Sequence, residues 1–351
     1  MGVKDTFRLC NLEPISKEIY AMLLNSGRRT IGVDGYVLLH RYLSNYGEII
    51  TKNPQKYIPL VYQNIYNHLH DMAHQIESIG VFTMIVVFDG NKMNYKISEK
   101  TRAIKREHAK EVSDFSQSFD VQPIQAYYLY KYLESKNIKC YVAPFEADAQ
   151  LAYMYKTNVV QVVYTCDTDL IYYGVNHILF SITRKDFKGI MYYESQVSEP
   201  SSSINNMDEN KRLLFAITLG NDYCKGVPLY GYKKTWPKLV PFVVTLKENE
   251  YAVDWEKTIK DYLTLLVSSM KSKTAKYNME LLTEDALRCI RVYLHQPVFD
   301  ISTATLVDMQ GNLVLTPDGY CDFGALNGPV DDILYCRIDP ETGVKFPNLV
   351  I

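Results

Sequence analysis

The sequence predicts an α/β fold: a mostly parallel central sheet flanked by helices, with its crevice at the carboxyl ends of the strands. Three observations predict it. Four short runs, Thr30–Val33, Val81–Phe88, Ile138–Ala143 and Val159–Tyr164, are apolar on both faces, as buried parallel strands are. Longer segments with helical periodicity lie between most of them. Acids stand at or just past the runs (Asp34, Asp89, Glu146, Asp148, Asp167 and Asp169), and Asp222 follows a further apolar stretch.

In chain order, residues 13–25 and 56–80 carry helical spacing, with Ile65, Leu69, Met72 and Ile76 on one face; both should cover the first strands. A basic helical segment follows Asp89, Ser113–Asp120 breaks the pattern, and another helix is expected near 122–136. Glu146–Tyr155 opens a helix with two acids in its first turn. Val197–Asn210, with four serines and three asparagines, reads as a mobile surface loop. Lys211–Leu219 reads as a helix closed at Gly220, which presents Asp222 just beyond it. From about residue 297 there are Gly/Pro-rich turns and no independent domain.

The chain of 351 residues suits one large α/β domain, or a core with a smaller appendage. No apolar stretch reaches the roughly 18 residues of a membrane span. The amino terminus lacks the basic-then-apolar order of a signal peptide. Met1–Thr6 fits the loose myristoylation pattern, without the second anchor that stable membrane binding needs. Seven cysteines with no Cys-x-x-Cys pair predict a reducing compartment and no zinc.

A net charge of −2 argues weakly against nucleic acid, but the distribution says more. Residues 91–110 hold seven Lys or Arg against two Glu, and further clusters are Lys225, Lys233, Lys234, Lys238 and Lys271, Lys273, Lys276. Any one cluster reads as a solvated face. Three beside an acidic crevice point to a polyanionic substrate. So many converging carboxylates would be costly without counter-charge, so the crevice calls for hard divalent cations bound through oxygen.

Four motifs occur in order: Phe88-Asp89-Gly90, Pro144-Phe145-Glu146-Ala147-Asp148-Ala149-Gln150-Leu151-Ala152-Tyr153, Thr165-Cys166-Asp167-Thr168-Asp169-Leu170 and Gly220-Asn221-Asp222-Tyr223. Together they resemble the structure-specific 5′ nuclease superfamily of flap endonuclease, exonuclease 1 and the xeroderma group G nuclease, over about residues 1–300. Val142-Ala143-Pro144, Val33-Asp34-Gly35-Tyr36 with His40, His295-Gln296-Pro297-Val298-Phe299-Asp300 and, more weakly, Gly328-Pro329-Val330-Asp331-Asp332 make it most similar to the exonuclease 1 catalytic core. The resemblance implies a PIN-like nuclease core with a helical arch and a helix–two-turn–helix DNA-binding element. The division expected is residues 1–210 for the core, with a short arch at about 92–136, 211–300 for the helical DNA-binding region, and 301–351 for an extension packed on the core.

It also implies a chemistry. Two Mg²⁺ or Mn²⁺ ions would lie among Asp34, Asp89, Glu146, Asp148, Asp167, Asp169 and Asp222, one activating water and the other stabilising the leaving oxygen. Lys96 matches the family lysine that reaches the scissile phosphate. The arginine expected seven positions later is replaced by Ala103, with Arg102 and Arg106 on either side. Tyr36 and His40 match residues that position the nucleotide near the cut. Lys92, Lys100, Arg106 and Gly2 fall where DNA would pass. Asp222–Lys234 resembles the helix–two-turn–helix element, a K⁺ and phosphate site; its Gly-x-Gly is here Leu229-Tyr230-Gly231, with Gly231, Lys233 and Lys234 as the phosphate contacts. The short interval from Asp89 to Glu146 implies an arch that is either reduced or rebuilt at its tip.

The resulting expectation is a metal-dependent 5′→3′ exonuclease or structure-specific 5′ endonuclease. Its substrates would be duplex DNA ends, nicks, gaps or flaps in repair or recombination. The alternatives are a replication flap endonuclease, a non-cleaving DNA-end-binding scaffold and an RNA-directed nuclease. A monomer is expected, without membrane association and nuclear if eukaryotic, with repair or replication proteins as partners through a tail not evident in the sequence.

Overall fold

The structure, a computed structural model, describes residues 3, 6, 10, 13–14, 30–45, 52–77, 83–111, 121–182, 189–192, 204, 207–247, 252–269, 278–314 and 323–346. Its centre is a seven-stranded sheet. The strands are β1 (Glu13–Pro14), β2 (Thr30–Asp34), β3 (Thr83–Phe88), β4 (Lys139–Val142), β5 (Val162–Tyr164), β6 (Ile178–Ile182) and β7 (Gly189–Tyr192). Their spatial order is β1-β7-β6-β5-β2-β3-β4. From β6 to β4 every pairing is parallel, while β7 and β1 add an antiparallel edge.

The four apolar runs are thus four adjacent strands, and the sequence shows why. Along β3, Ile85 and Val87 enter one core with Val163, whereas Met84, Val86 and Phe88 enter a second core with Ile31, Val33 and Tyr164. A strand that feeds two cores must be apolar at every position. Chain order runs outward from β2 through β3 to β4 and, on the other side, from β5 to β6. The reversal lies between β2 and β5, and crevices for ligands form at such switch points.

The described helices are α1 (Gly35–Asn45), α2 (Pro54–Glu77), α3 (Ser98–Glu111), α4 (Pro123–Ser135), α5 (Ala147–Lys156), α6 (Asp169–Tyr172), α7 (Glu209–Leu219), α8 (Tyr232–Leu239), α9 (Trp255–Ser268), α10 (Met279–His295) and α11 (Val330–Leu334). A separate hairpin joins β8 (Pro297–Asp300) to β9 (Thr305–Asp308). The carboxamide of Gln150 on α5 donates to the Phe299 carbonyl at 2.8 Å and accepts from the Phe299 amide at 2.7 Å. The hairpin is fixed to the core by a buried side chain that imitates a strand. No helix among the described residues is long and apolar enough to cross a membrane.

Two expectations need correcting. Glu13 and Pro14, read as the start of a helix, pair with Met191 and Ile190 at the sheet edge, where a proline's missing donor costs no ladder bond. The rest of 13–25 lies outside the described residues. The loop expected over Val197–Asn210 ends early: Asp208 caps α7 by accepting from the Lys211 amide at 2.9 Å, and Glu209 and Asn210 are its first turn. Ile204 and Met207 are buried; the other residues before Asp208 lie outside the described ones.

Candidate active site

Every acid singled out in the sequence lines one cavity of about 360 Å³ at the carboxyl edge of the sheet: Asp34, Asp89, Glu146, Asp148, Asp167, Asp169 and Asp222. Asp34 ends β2, with Oδ1 accepting from the Val37 amide at 3.0 Å and Oδ2 accepting from the Thr165 hydroxyl across the switch point at 3.2 Å. That hydroxyl also accepts from the Asp167 amide at 3.1 Å, and Asp167 Oδ1 accepts from the Asp169 amide at 3.0 Å. Thr165 therefore ties the acids of β2 to those after β5.

Asp89 and Glu146 meet because Gly90 lacks a side chain. The Gly90 amide donates to the Phe145 carbonyl at 2.6 Å and the Asn91 amide to the Pro144 carbonyl at 2.9 Å. A Cβ on Gly90 would sit 1.9 Å from the Ala143 carbonyl oxygen. Asp89 then accepts from the Ala147 amide at 2.7 Å, at the start of α5, where the helix dipole favours an anion. Glu146 is the N-cap of α5 and Asp148 lies in its first turn. Asp222 follows the α7 C-cap Gly220, whose φ of 81° suits glycine.

Lys96 Nζ pairs with Glu146, and the Arg102 guanidinium pairs with Asp222. The Asp222 carbonyl accepts from the Ile97 amide at 2.9 Å, so the seventh acid anchors the entry to α3. An adjoining groove of about 190 Å³ shares Tyr36, His40, Asp89, Lys96, Arg102 and Glu146 with the main cavity and adds Lys92, Arg106 and Glu341. Lys92 pairs with Glu341 at 2.9 Å. Tyr36 and His40, one helical turn apart on α1, hold their rings 6.4 Å apart, and Tyr36 meets Phe88 edge-on.

Gly231, Lys233 and Lys234 lie at the start of α8, away from both cavities. Gly231 is the N-cap and has open space where a Cβ would be. Lys234 Nζ donates to the Leu229 carbonyl at 3.0 Å. Leu229 itself has φ of 65°, a left-handed conformation that favours glycine. Gly2 and the side chain of Lys100 lie outside the described residues. Cavity-lining residues that the sequence did not single out are Val37, Arg41 and Ser44, together with Cys166 and Tyr223, which were quoted only within their motifs. The available signal was position: Arg41 and Ser44 fall seven and ten residues after Asp34, on one side of α1.

The electrostatics are those of a site short of positive charge. Burial and the neighbouring Asp167 push Asp34 up to about 6, and burial with Glu146 pushes Asp89 up to about 8. Asp148 and Asp169 rise well above the ordinary range for the same reasons, and burial raises Asp167. Burial alone would lower the Lys96 ammonium; the charges of Glu146 and Asp89 outweigh it, and the net shift is upward. Among the described residues, Asp148 Oδ1 and Asp169 Oδ1 are buried with no hydrogen-bond partner. Such atoms are costly unless something binds them.

A hard divalent cation fits these acceptors, because the acids offer only oxygen. Among the described residues no three His, Cys, Asp or Glu side chains are already drawn around one ion position. Glu146 and Asp222 are instead paired with Lys96 and Arg102. A loose oxygen cage suits Mg²⁺, which retains waters between itself and its carboxylates.

Residues 137–222 match the XPG I-region family, and this stretch carries five of the seven acids. The chain is 30% identical to exodeoxyribonuclease 1 of Schizosaccharomyces pombe over 252 residues, covering 66% of this chain and 41% of that protein. It is 25% identical to exonuclease 1 of Arabidopsis thaliana over 344 residues, covering 90% and 42%. The chain thus spans about two fifths of the length of these relatives. A solved structure of the Holliday junction-resolving enzyme GEN1, with product DNA and Mg²⁺, superposes with a TM-score of 0.53 at 18% identity, covering 86% of this chain and 66% of that one. The matched internal region and these exonuclease 1 relatives support the XPG and flap-endonuclease superfamily for this chain, and the solved structure shares its core fold.

Proposed function

We propose that the chain is a divalent-metal-dependent 5′ nuclease acting on duplex DNA with ends, nicks, gaps or flaps. One observation carries the reading: seven carboxylates from five stretches of the chain line one cavity whose rim is the root of a basic helix. Asp34, Asp89, Glu146, Asp148, Asp167, Asp169 and Asp222 would hold two Mg²⁺ or Mn²⁺ ions. When bound, the ions supply an activated water and stabilise the leaving oxygen. Lys96 and Arg102, already set among the acids, face the scissile phosphate and offset its charge in the transition state. Lys92 and Arg106 line the groove along which the strand leaves. Tyr36 and His40 pack against the terminal nucleotide and fix which bond reaches the acids. The helices of 211–300 grip the duplex away from the cut; a K⁺ in the turn before α8 and phosphate contacts from Gly231, Lys233 and Lys234 belong to this reading. The enzyme would act as a nuclear monomer in repair or recombination.

The test uses duplexes labelled at either end, with recessed, nicked, gapped or 5′-flapped structure, and matching RNA, in Mg²⁺, Mn²⁺ or chelator. The expected result is metal-dependent release of short products from the 5′ side of DNA, none in chelator and none from RNA. Tight DNA-end binding with no cleavage in either metal would favour the scaffold reading. Cleavage confined to the flap junction would favour a flap endonuclease.

A further inference from the structure

We propose that Arg41 is a second phosphate-binding group of the site, holding the backbone phosphate next to the scissile one at the end of the crevice away from α3. The inference rests on the nuclease reading and extends it to a residue that no motif includes.

Arg41 reaches the acid-lined cavity from α1, seven residues and thus about 10 Å along the helix from Asp34. Its guanidinium is held by neutral partners. Nη1 donates to the Tyr164 hydroxyl at 2.6 Å and Nη2 donates to Cys166 Sγ at 3.2 Å. The Tyr164 hydroxyl lies 3.3 Å from Nε2 of the buried His68. An arginine can only donate, so the phenol accepts from it and keeps its own proton for the histidine. Tyr164 ends β5 and Cys166 lies two residues beyond it, so the guanidinium is aimed by the switch point of the sheet.

This arrangement fixes the group without neutralising it. Lys96 and Arg102 each have a carboxylate partner; Arg41 has none among the described residues. Of its five N–H donors, two have partners among the described residues, and the remainder meet a phosphate with the planar geometry that makes arginine a good phosphate ligand. The adjoining basic groove with Lys92 and Arg106 does not extend to Arg41. Cations therefore stand at both ends of the acidic crevice, with room between them for a strand whose central phosphate faces the acids.

The rival role is a counter-ion that only relieves crowding among the acids. Binding measured in Ca²⁺ or chelator separates the two, using fluorescence anisotropy across a salt series with DNA of the structure that the wild type cleaves. Arg41→Gln should weaken binding about tenfold and lower the slope of log affinity against log salt by about 1; Arg41→Lys should keep the slope. With duplexes carrying one uncharged methylphosphonate at successive positions, the wild type should lose affinity when the phosphate flanking the cut is neutral, and Arg41→Gln should not. An unchanged slope and an unchanged methylphosphonate profile in a folded Arg41→Gln protein would overturn the proposal. If Arg41→Gln does not fold, Cys166→Ala, which frees the guanidinium from one anchor, should blunt the same methylphosphonate penalty, and an undiminished penalty would overturn it. If the wild type itself cleaves no DNA, the nuclease reading fails first.

Discussion

Gly90 decides how far Asp89 stands from Glu146. Any side chain there would drive into the carbonyls of Ala143 and Pro144, prising apart the two backbone bonds that seat both acids. Gly90→Ala should cost about 3 kcal/mol in chemical unfolding, at the upper end for overpacking, and should lower activity in the fraction that folds. Leu229 is the opposite case, a left-handed residue that is exposed and supports no packing. Leu229→Gly should stabilise by about 0.5–1 kcal/mol, the relief of left-handed strain less the entropy glycine adds to the unfolded chain; a loss of stability would mean that the leucine makes a contact in its own right. Lys96→Ala should reduce single-turnover cleavage by roughly 10²-fold, the scale of one transition-state charge contact, and an unchanged rate would reduce α3 to a solvated face. The seven acids were legible because each stands where an apolar run ends. Arg41 was not: an arginine on a helix is commonplace, and its partners Tyr164 and Cys166 lie more than a hundred residues away in sequence.

At the scale of elements, the strands were the easiest to read, since residues buried on both faces leave an unbroken apolar run. Their edges moved by a few residues, as with Val159–Gln161, which precede β5; Val81 and Phe82 lie outside the described residues. The edge strand Glu13–Pro14 was invisible because its pairing partner lies across the chain at Ile190 and Met191. The helices α3 and α4 came where their periodicity placed them, α4 running from Pro123 to Ser135; the break expected over Ser113–Asp120 lies outside the described residues. The interval from Asp89 to Glu146 is short, and we expect too little chain in it to close a passage above the crevice. A bulky block on a 5′ flap should therefore change the cleavage rate less than about twofold, since an open basic ledge attracts phosphates without demanding a free end. Strong inhibition, reversed when the block is removed, would show that this segment forms a closed arch.

For the molecule as a whole, the acids make folding and metal binding one problem. Asp34 and Asp89 titrate near 6 and 8 in the fold, against ordinary values near 3.8. In the metal-free protein they hold protons that the unfolded chain has already released. Their contribution to stability is therefore complete below about pH 4 and is lost as pH rises towards 8. Asp148 is raised in the same sense, so in chelator Asp148→Asn should gain stability over the wild type at about pH 9 and little at about pH 5. Mn²⁺ should reverse that ranking at the higher pH by stabilising only the protein with the full set of acids. Equal stability of the two proteins in chelator at both pH values would mean that Asp148 is not held among uncompensated charges.

Asp167→Ala tests the crevice most directly. The measurement is single-turnover cleavage of a 5′-recessed duplex in Mn²⁺ by wild type and variant, with DNA affinity determined in parallel in Ca²⁺. Losing one oxygen ligand should abolish cleavage, while the phosphate contacts of Lys92, Lys96, Arg102 and Arg106 keep the affinity within a few-fold of wild type. Cleavage by Asp167→Ala at close to the wild-type rate would contradict the assignment of this crevice as the metal centre.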